Sequence, residues 1–148
     1  MTGLRRRGFL AGAGAVALTV WARPFAAAAE GAAEAVAAIL DGRTDEVGGI
    51  EIEAPATAEN GAQVPITVRV DSPMTPEDHV TAIHLIVPAN PAPGAGRFRL
   101  TPGLARAEVF TRIRLAEAQE VLVLAELSDG RVLSAAVEIA VTTGGCAT

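Results

Sequence analysis

Apolar and polar residues alternate along most of the chain after residue 48, and this period of two constrains the fold more than any other feature. Successive side chains of a β-strand point to opposite faces, so the pattern predicts strands that bury one face. Residues rich in Asn, Asp, Gly and Pro separate seven such runs, which predicts a two-sheet antiparallel β-sandwich. The runs are centred on residues 50–52, 66–70, 83–87, 98–100, 109–115, 121–127 and 133–141.

A short helical segment precedes the strands. Residues 30–40 are rich in Ala, and Val36, Ile39 and Leu40 recur at helical spacing before Gly42. This pattern predicts a short N-terminal helix that ends near Gly42. The helix and the strands together fit one domain with one core, which we place at residues 30–142.

Residues 1–29 have the features of an export signal. The stretch Arg5-Arg6-Arg7-Gly8-Phe9-Leu10 contains a twin-arginine pair, and an apolar, Ala-rich region follows it. That region is shorter than the about 20 apolar residues that a membrane-spanning helix needs. We therefore expect a twin-arginine (Tat) signal peptide, cleaved near Ala28 or Ala29, and a periplasmic protein without membrane attachment after cleavage.

Removal of this segment would leave an acidic domain. The chain has no Lys, and four of its 12 Arg lie in residues 1–29, so eight Arg remain against 17 Asp and Glu, a net charge of −9. Such a balance argues against nucleic-acid binding. Arg112 and Arg114 share one strand face. They form either a patch for an anionic ligand or a partner, or exposed charges paired with Glu108, which is the interpretation that we favour.

Cys146 is the only cysteine, and it follows Gly144 and Gly145 close to the end of the chain. A single Cys in an exported protein cannot form an internal disulfide, so it indicates intermolecular chemistry or a reactive thiol. The two glycines predict that residues 143–148 form a slender, flexible arm. The alternatives are an inert chain end and a Cys that packs as a small apolar residue.

No other constellation in the sequence predicts a catalytic or metal site. His79 and His84 have no metal-ligand spacing with each other or with Cys146, so we expect satisfied surface or turn roles for both. Only two residues follow Cys146, which argues against a blue-copper site. A Cys-His hydrolase needs a fixed nucleophile, and a thiol on a Gly-Gly hinge is not fixed. We therefore predict no metal, no cofactor and no catalytic residues.

The terminal Gly144-Gly145-Cys146 resembles the swinging arm of the SoxY family, the sulfur-carrying subunit of the thiosulfate-oxidising Sox system. Shorter motifs along the chain, in the same order, resemble that family as well, as does the Tat signal. These motifs are Ala58-Glu59-Asn60-Gly61 with Val64-Pro65, Asp71-Ser72-Pro73-Met74, Asn90-Pro91, Thr111-Arg112-Ile113-Arg114-Leu115-Ala116 and Leu127-Ser128-Asp129-Gly130.

The resemblance implies an immunoglobulin-like sandwich that pairs with a SoxZ-like subunit to form a heterodimer. It also implies that Cys146 is the covalent attachment residue and that Gly144 and Gly145 are the hinge. A haem-containing SoxAX-like enzyme would join thiosulfate to Cys146, a SoxB-like enzyme would release sulfate, and a sulfane dehydrogenase-like enzyme would oxidise the remaining sulfur. The chain itself would be a carrier and not an enzyme.

The end of the chain departs from the family pattern. Ala147 and Thr148 stand where the family usually has two more glycines, and they add bulk beyond the thiol. A divergent SoxYZ-like carrier for another periplasmic oxidation therefore stays open. So does an interaction module in which Cys146 forms a permanent intermolecular disulfide.

Overall fold

The computed structural model describes residues 23–142, and in that range the chain forms one helix and nine strands. Seven of the strands overlap the seven predicted runs, although β6 (Gly94–Arg99) and β7 (Ala107–Ile113) begin and end earlier than the runs at 98–100 and 109–115. This confirms the prediction of an all-β, immunoglobulin-like sandwich with an N-terminal helix. The elements are α1 (Arg23–Leu40), β1 (Asp45–Val47), β2 (Ile50–Glu53), β3 (Thr57–Ala58), β4 (Val64–Val70), β5 (Val80–Ile86), β6 (Gly94–Arg99), β7 (Ala107–Ile113), β8 (Gln119–Leu127) and β9 (Val132–Val141).

The strands form two sheets. The large sheet has the order β1-β9-β8-β5-β6, with β3 also paired to β9, and the small sheet has the order β2-β4-β7. The long strands pair antiparallel as predicted, whereas β1 and β3 both run parallel to β9. These two strands were not predicted, because three and two residues are too few to show an alternation.

The core lies between the two sheets and is aliphatic. One face of each sheet supplies it, and Phe98 is the aromatic side chain packed against it. The alternation in β4 is complete: four residues are buried, and the residues between them are half-buried or exposed. The largest fully buried side chains are Ile66, Ile83, Leu85, Ile86, Ile139, Val64, Val68, Val80, Val87, Val121, Val123 and Val132.

Helix α1 covers part of the outer face of the large sheet. It starts at Arg23, seven residues before the predicted start, and the residues that pack on the sheet lie between Ala32 and Leu40. These contact Ile86, Leu124 and Val132 in a second, smaller apolar cluster: Ala32, Ala35, Val36, Ile39 and Leu40. No helix within residues 23–142 has the length and hydropathy to span a membrane.

The helix ends where the sequence predicts. Asp41 and Gly42 adopt left-handed backbone conformations, with φ of 48° and 78°, which stop the helix. Arg43 then turns back, and its guanidinium donates hydrogen bonds to the carbonyl oxygens of Ile39 (2.7 Å) and Leu40 (2.8 Å). A cation at this position also interacts favourably with the helix dipole.

Candidate functional site: the base of the C-terminal arm

The predicted site residues Gly144, Gly145 and Cys146 lie outside the described residues, so the structure defines the base from which they leave. We call the end of the sandwich at which β9 terminates the exit end. There the amide of Thr142 donates a hydrogen bond to the carbonyl oxygen of Ala58 (3.0 Å). The parallel pairing of β3 with Ala140 and Val141 continues this contact. The chain is therefore held by backbone hydrogen bonds up to the last described residue.

Gly61 lies against this base and leaves no room for a side chain. A Cβ at Gly61 would overlap the carbonyl oxygen of Leu115 and lie 3.1 Å from Cγ1 of Val141. The carbonyl oxygen of Gly61 accepts a hydrogen bond from the amide of Leu115 (2.7 Å). Beside it, Asn60 Oδ1 accepts the amide of Ala62 (2.9 Å), which stabilises the turn before β4. The motif at residues 58–61 thus brings three chain segments together at the arm base.

A buried amide network fixes the loop that carries Leu115. Asn90 Nδ2 donates to the carbonyl oxygen of Arg114 (2.7 Å), and its Oδ1 accepts from the amide of Ala116 (2.9 Å). Gln119 Nε2 also donates to Asn90 Oδ1 (2.9 Å), while Gln119 Oε1 accepts from the amide of Ala89 (2.9 Å). Sequence reasoning treated Asn90 as a turn residue and missed Gln119. The sequence offered one signal for Gln119, which is its position as a polar residue just before the mainly apolar run at residues 121–127.

Two of the family-like motifs lie at the opposite end of the sandwich, which we call the far end. Ser128 Oγ accepts the amide of His79 (3.0 Å), and the amide of Ser128 donates to the carbonyl oxygen of His79 (2.8 Å). Ser72 Oγ accepts the amide of Met74, which has a φ of 51°. Because β9 begins at this end and has ten residues, the two ends lie about 30 Å apart at about 3.3 Å per residue.

The predicted pairing of Arg112 and Arg114 with Glu108 is wrong. Glu108 binds Arg69, whose Nε lies 2.6 Å from its carboxylate, and Arg69 also reaches Glu53 (3.1 Å). These hydrogen bonds raise the pKa of the Arg69 guanidinium. The register explains the choice, because Arg69 lies directly opposite Glu108 on the neighbouring strand. Arg112 and Arg114 are exposed, as the sequence predicts.

The two histidines have structural partners, but only one of them lies at the surface. His79 is half-buried at the surface, and its Nδ1 lies 3.0 Å from the carbonyl oxygen of Thr75. His84 is buried beside α1, where its Nε2 lies 2.7 Å from Glu126 Oε1, and Arg43 binds the other carboxylate oxygen (3.0 Å). Burial raises the pKa of the Glu126 carboxyl, but the hydrogen bonds from His84 and Arg43 outweigh burial and hold it below its ordinary value.

The described residues hold no group of three or more His, Cys, Asp or Glu that could bind a metal ion. At the exit end, backbone pairing and a buried amide network hold the chain in place up to the point where the predicted arm begins.

A comparison with known protein families shows which family the chain belongs to. The family described as "Sulfur oxidation protein SoxY" matches residues 36–146. The chain belongs to the SoxY family.

A solved SoxY structure and two superoxide reductases are among the structures that the chain resembles. The sulfur carrier protein SoxY from Chlorobium limicola f thiosulfatophilum is 32% identical, with a TM-score of 0.61, and the match covers 77% of this chain and 98% of that one. Superoxide reductase (Neelaredoxin) from Ignicoccus hospitalis matches at 21% identity with a TM-score of 0.56, over 64% of this chain and 80% of that one. The superoxide reductase of Nanoarchaeum equitans matches at 14% identity with a TM-score of 0.51, over 61% and 90%.

The likeness to the two reductases concerns the fold alone, because their identities are low. No curated protein sequence gives a significant match to the chain.

Three of the sequence motifs that suggested the SoxY family lie together at the exit end: residues 58–61, Asn90-Pro91 and residues 111–116. Their hydrogen bonds and close contacts show that they build the exit end, where the predicted arm would begin.

Proposed function

We propose that this chain is a periplasmic carrier that holds sulfur intermediates derived from thiosulfate on Cys146. Gly144 and Gly145 act as the hinge of a swinging arm formed by residues 143–148, and the covalent adduct takes the place of a cofactor. The observation that carries the proposal is the extent of the SoxY match, which ends at Cys146 itself. The Chlorobium relative supports it, because that protein is a sulfur carrier.

The carrier chemistry requires a thiol and partner enzymes. Joining thiosulfate to Cys146 forms an S–S bond, gives R–S–S–SO₃⁻, and releases one proton and two electrons to a haem-containing SoxAX-like enzyme. Hydrolysis by a SoxB-like enzyme then adds water, releases sulfate and a proton, and leaves a persulfide. A sulfane dehydrogenase-like enzyme oxidises the persulfide sulfur. The carrier presents the adduct and does not itself catalyse these steps.

The body of the protein contributes a fixed origin for the arm. Thr142 is held through Ala58, and Gly61 and Leu115 brace the segment beside it. Six residues beyond this point span at most about 20 Å at about 3.3 Å per residue. A rigid origin and a short tether define a limited volume for the thiol, which raises its effective concentration at a docked partner's active site.

Within residues 23–142, no other element covers the outer face of the small sheet, so this face could receive a second subunit. On this face, Phe110 projects from β7 and is 65% exposed, and β7 forms one edge of the sheet. An exposed aromatic side chain beside an unpaired strand edge favours a protein partner. We propose that a SoxZ-like subunit covers this region to form a heterodimer, and that the complex is exported together through the Tat pathway.

Mass spectrometry of the protein purified from a periplasmic fraction tests the proposal. Incubated with thiosulfate and the partner enzymes, the wild-type chain should gain sulfur or sulfonate mass on the peptide that contains Cys146. Cys146→Ser is the matched control, which should fold normally and gain no mass. A reduction-sensitive dimer without sulfur adducts would instead favour the interaction module, and adducts from a substrate other than thiosulfate would favour the divergent carrier.

A further inference from the structure

Two exposed guanidinium groups near the exit end have no carboxylate partner. Arg112 lies on the outer face of β7 opposite Pro65, and Arg114 follows the strand directly. Within the described residues, neither forms an ion pair with a carboxylate within 4.0 Å. Glu108, the acid on the same strand, is occupied by Arg69. In the chain without its partner subunit, these two cations are therefore available to an external anion.

The structure places the backbone of Arg114 close to the end of β9, and Arg112 lies two residues before it. Arg114 directly precedes Leu115, whose amide donates to Gly61, and Gly61 packs against Val141 near the end of β9. The hydrogen bond from Asn90 to the carbonyl oxygen of Arg114 prevents this segment from moving away. Cys146 lies four residues beyond Thr142, a reach of at most about 13 Å at about 3.3 Å per residue.

We propose that Arg112 and Arg114 form a resting site for the sulfonate group of the adduct on Cys146. The inference rests on the proposed function, because it requires Cys146 to carry an alkyl thiosulfonate, R–S–S–SO₃⁻. Guanidinium groups bind the oxygens of such anions through paired N–H donors. The chain from residue 30 onward carries a net charge of −9, so its field repels the adduct except beside cations that lack acidic partners.

The tether and the exposure of the site set its strength. Exposed ion pairs are weak, so each contact favours the docked adduct over the free adduct by a factor of about 1.4 to 5. The short tether compensates, because it keeps the sulfonate at an effective concentration in the millimolar range. The resting site therefore orients the adduct in solution and releases it readily into a partner's active site.

Chemical loading tests this without any partner enzyme. Tetrathionate reacts with the thiolate of Cys146 to give R–S–S–SO₃⁻ and thiosulfate. Methyl methanethiosulfonate gives the uncharged R–S–S–CH₃ and methanesulfinate, and serves as the matched adduct control. The side-chain Nε–H resonances of Arg112 and Arg114 should shift in ¹⁵N NMR spectra with the thiosulfonate and not with the methyl disulfide. The shift should decrease as added salt screens the interaction.

Variants complete the experiment. In the wild type, the heteronuclear NOE of the Cys146 and Ala147 amides should be higher with the thiosulfonate adduct than with the methyl disulfide adduct. In the double variant Arg112→Gln/Arg114→Gln, the two adducts should give the same heteronuclear NOE at these amides. Arg106→Gln is the matched control, because Arg106 is exposed at the other end of β7, and it should behave like the wild type.

The outcomes separate the two proposals. If Cys146 loads but the arginine resonances do not respond to the charge of the adduct, the resting site does not exist and the carrier function stands. If the double variant instead loses affinity for a partner protein while the adduct has no effect, the arginines are a docking surface, which also overturns the inference. If tetrathionate fails to modify Cys146 in the folded chain, the carrier proposal itself fails.

Discussion

The amide of Leu115 donates a hydrogen bond to the carbonyl oxygen of Gly61 at 2.7 Å, at a point where a side chain on Gly61 would overlap the carbonyl oxygen of Leu115. We expect Gly61→Ala to lower the free energy of unfolding by about 1–3 kcal/mol, because the neighbouring backbone must shift. Urea denaturation measures the change. Gly94→Ala is the control, since a Cβ there meets nothing within 4 Å, and it should change stability by less than about 0.5 kcal/mol. Equal effects in the two variants would contradict this reading of Gly61.

Asn90→Ala should be destabilising and should loosen the exit end. It leaves the amide of Ala116 and the carbonyl oxygen of Arg114 without their partner. These groups are partly buried, so the expected cost is about 1 kcal/mol. Amide hydrogen exchange should accelerate at Ala116 and Leu115 more than in the far-end loops. Asn60→Ala removes one exposed hydrogen bond and serves as the control. Uniform acceleration throughout the domain would argue against a local role for Asn90.

The lowered pKa of Glu126 predicts a pH dependence of stability. A carboxyl whose pKa is lower in the folded state than in the unfolded state stabilises the native state when the pH is above its unfolded-state pKa. This contribution is lost as the pH falls through the folded-state pKa. The ordinary value is 4.5, so the advantage of the wild type over Glu126→Gln should be full above pH 4.5 and decrease below it. Thermal denaturation from about pH 6 to pH 3 measures the difference. The exposed residue Glu138 supplies the control Glu138→Gln; a pH-independent difference for Glu126→Gln would refute the prediction.

Phe110→Asp should weaken the proposed heterodimer without unfolding the domain. Phe110 is 65% exposed, so its replacement should lower stability by less than about 0.5 kcal/mol. Replacing an aromatic hot spot of an interface costs about 2 kcal/mol or more of binding free energy, so we expect a loss of affinity of more than tenfold. Calorimetry with the SoxZ-like subunit measures this loss. Leu104→Asp, at an apolar residue that is 46% exposed in the loop before β7, should have little effect. Unchanged affinity in Phe110→Asp would place the partner elsewhere.

If Gly144 and Gly145 act as a hinge, bulky side chains at these positions should reduce sulfur transfer more than a longer glycine segment does. Gly144→Leu and Gly145→Leu should reduce sulfur transfer at least about tenfold, because bulky side chains beside the thiol would hinder its entry into the active site of a partner enzyme. Insertion of two further glycines should have a small effect, since lengthening a flexible segment has a small entropic cost. Transfer assays with the partner enzymes compare the variants. Full activity in both Leu variants would remove the main physical argument for a hinge.

The sequence predicts the strands well where alternation is long enough to read. Seven runs became seven strands, and the helix ended near Gly42 as expected. The start of the helix was placed too late, because the run of Ala at 26–29 was assigned to the signal and not to the helix. The strands β1 and β3 depend on pairing with β9, which lies more than 70 residues later in the chain.

At the candidate site, too, the sequence did not predict contacts between residues that are far apart along the chain. Glu108 and Arg112 are four residues apart, and along a strand this separation is about 13 Å. The partner of Glu108 is instead Arg69, which faces it across the sheet. Likewise, Asn90 and Gln119 lie 29 residues apart, so only the folded topology brings them together. The arm residues 143–148 remain a prediction from the sequence and the family match.

The position of β9 has a mechanical consequence. Eight residue pairs join it to β8 along most of its length, and β3 adds parallel pairs at Ala140 and Val141. Tension applied to the chain after Thr142 acts along the strand axis and therefore perpendicular to these hydrogen bonds. A force along the strand axis is therefore shared by all the hydrogen bonds between the strands. A force that pulls the strand sideways out of the sheet would instead break these hydrogen bonds one at a time. A domain with this geometry should therefore resist unfolding when force is applied to its C-terminal end.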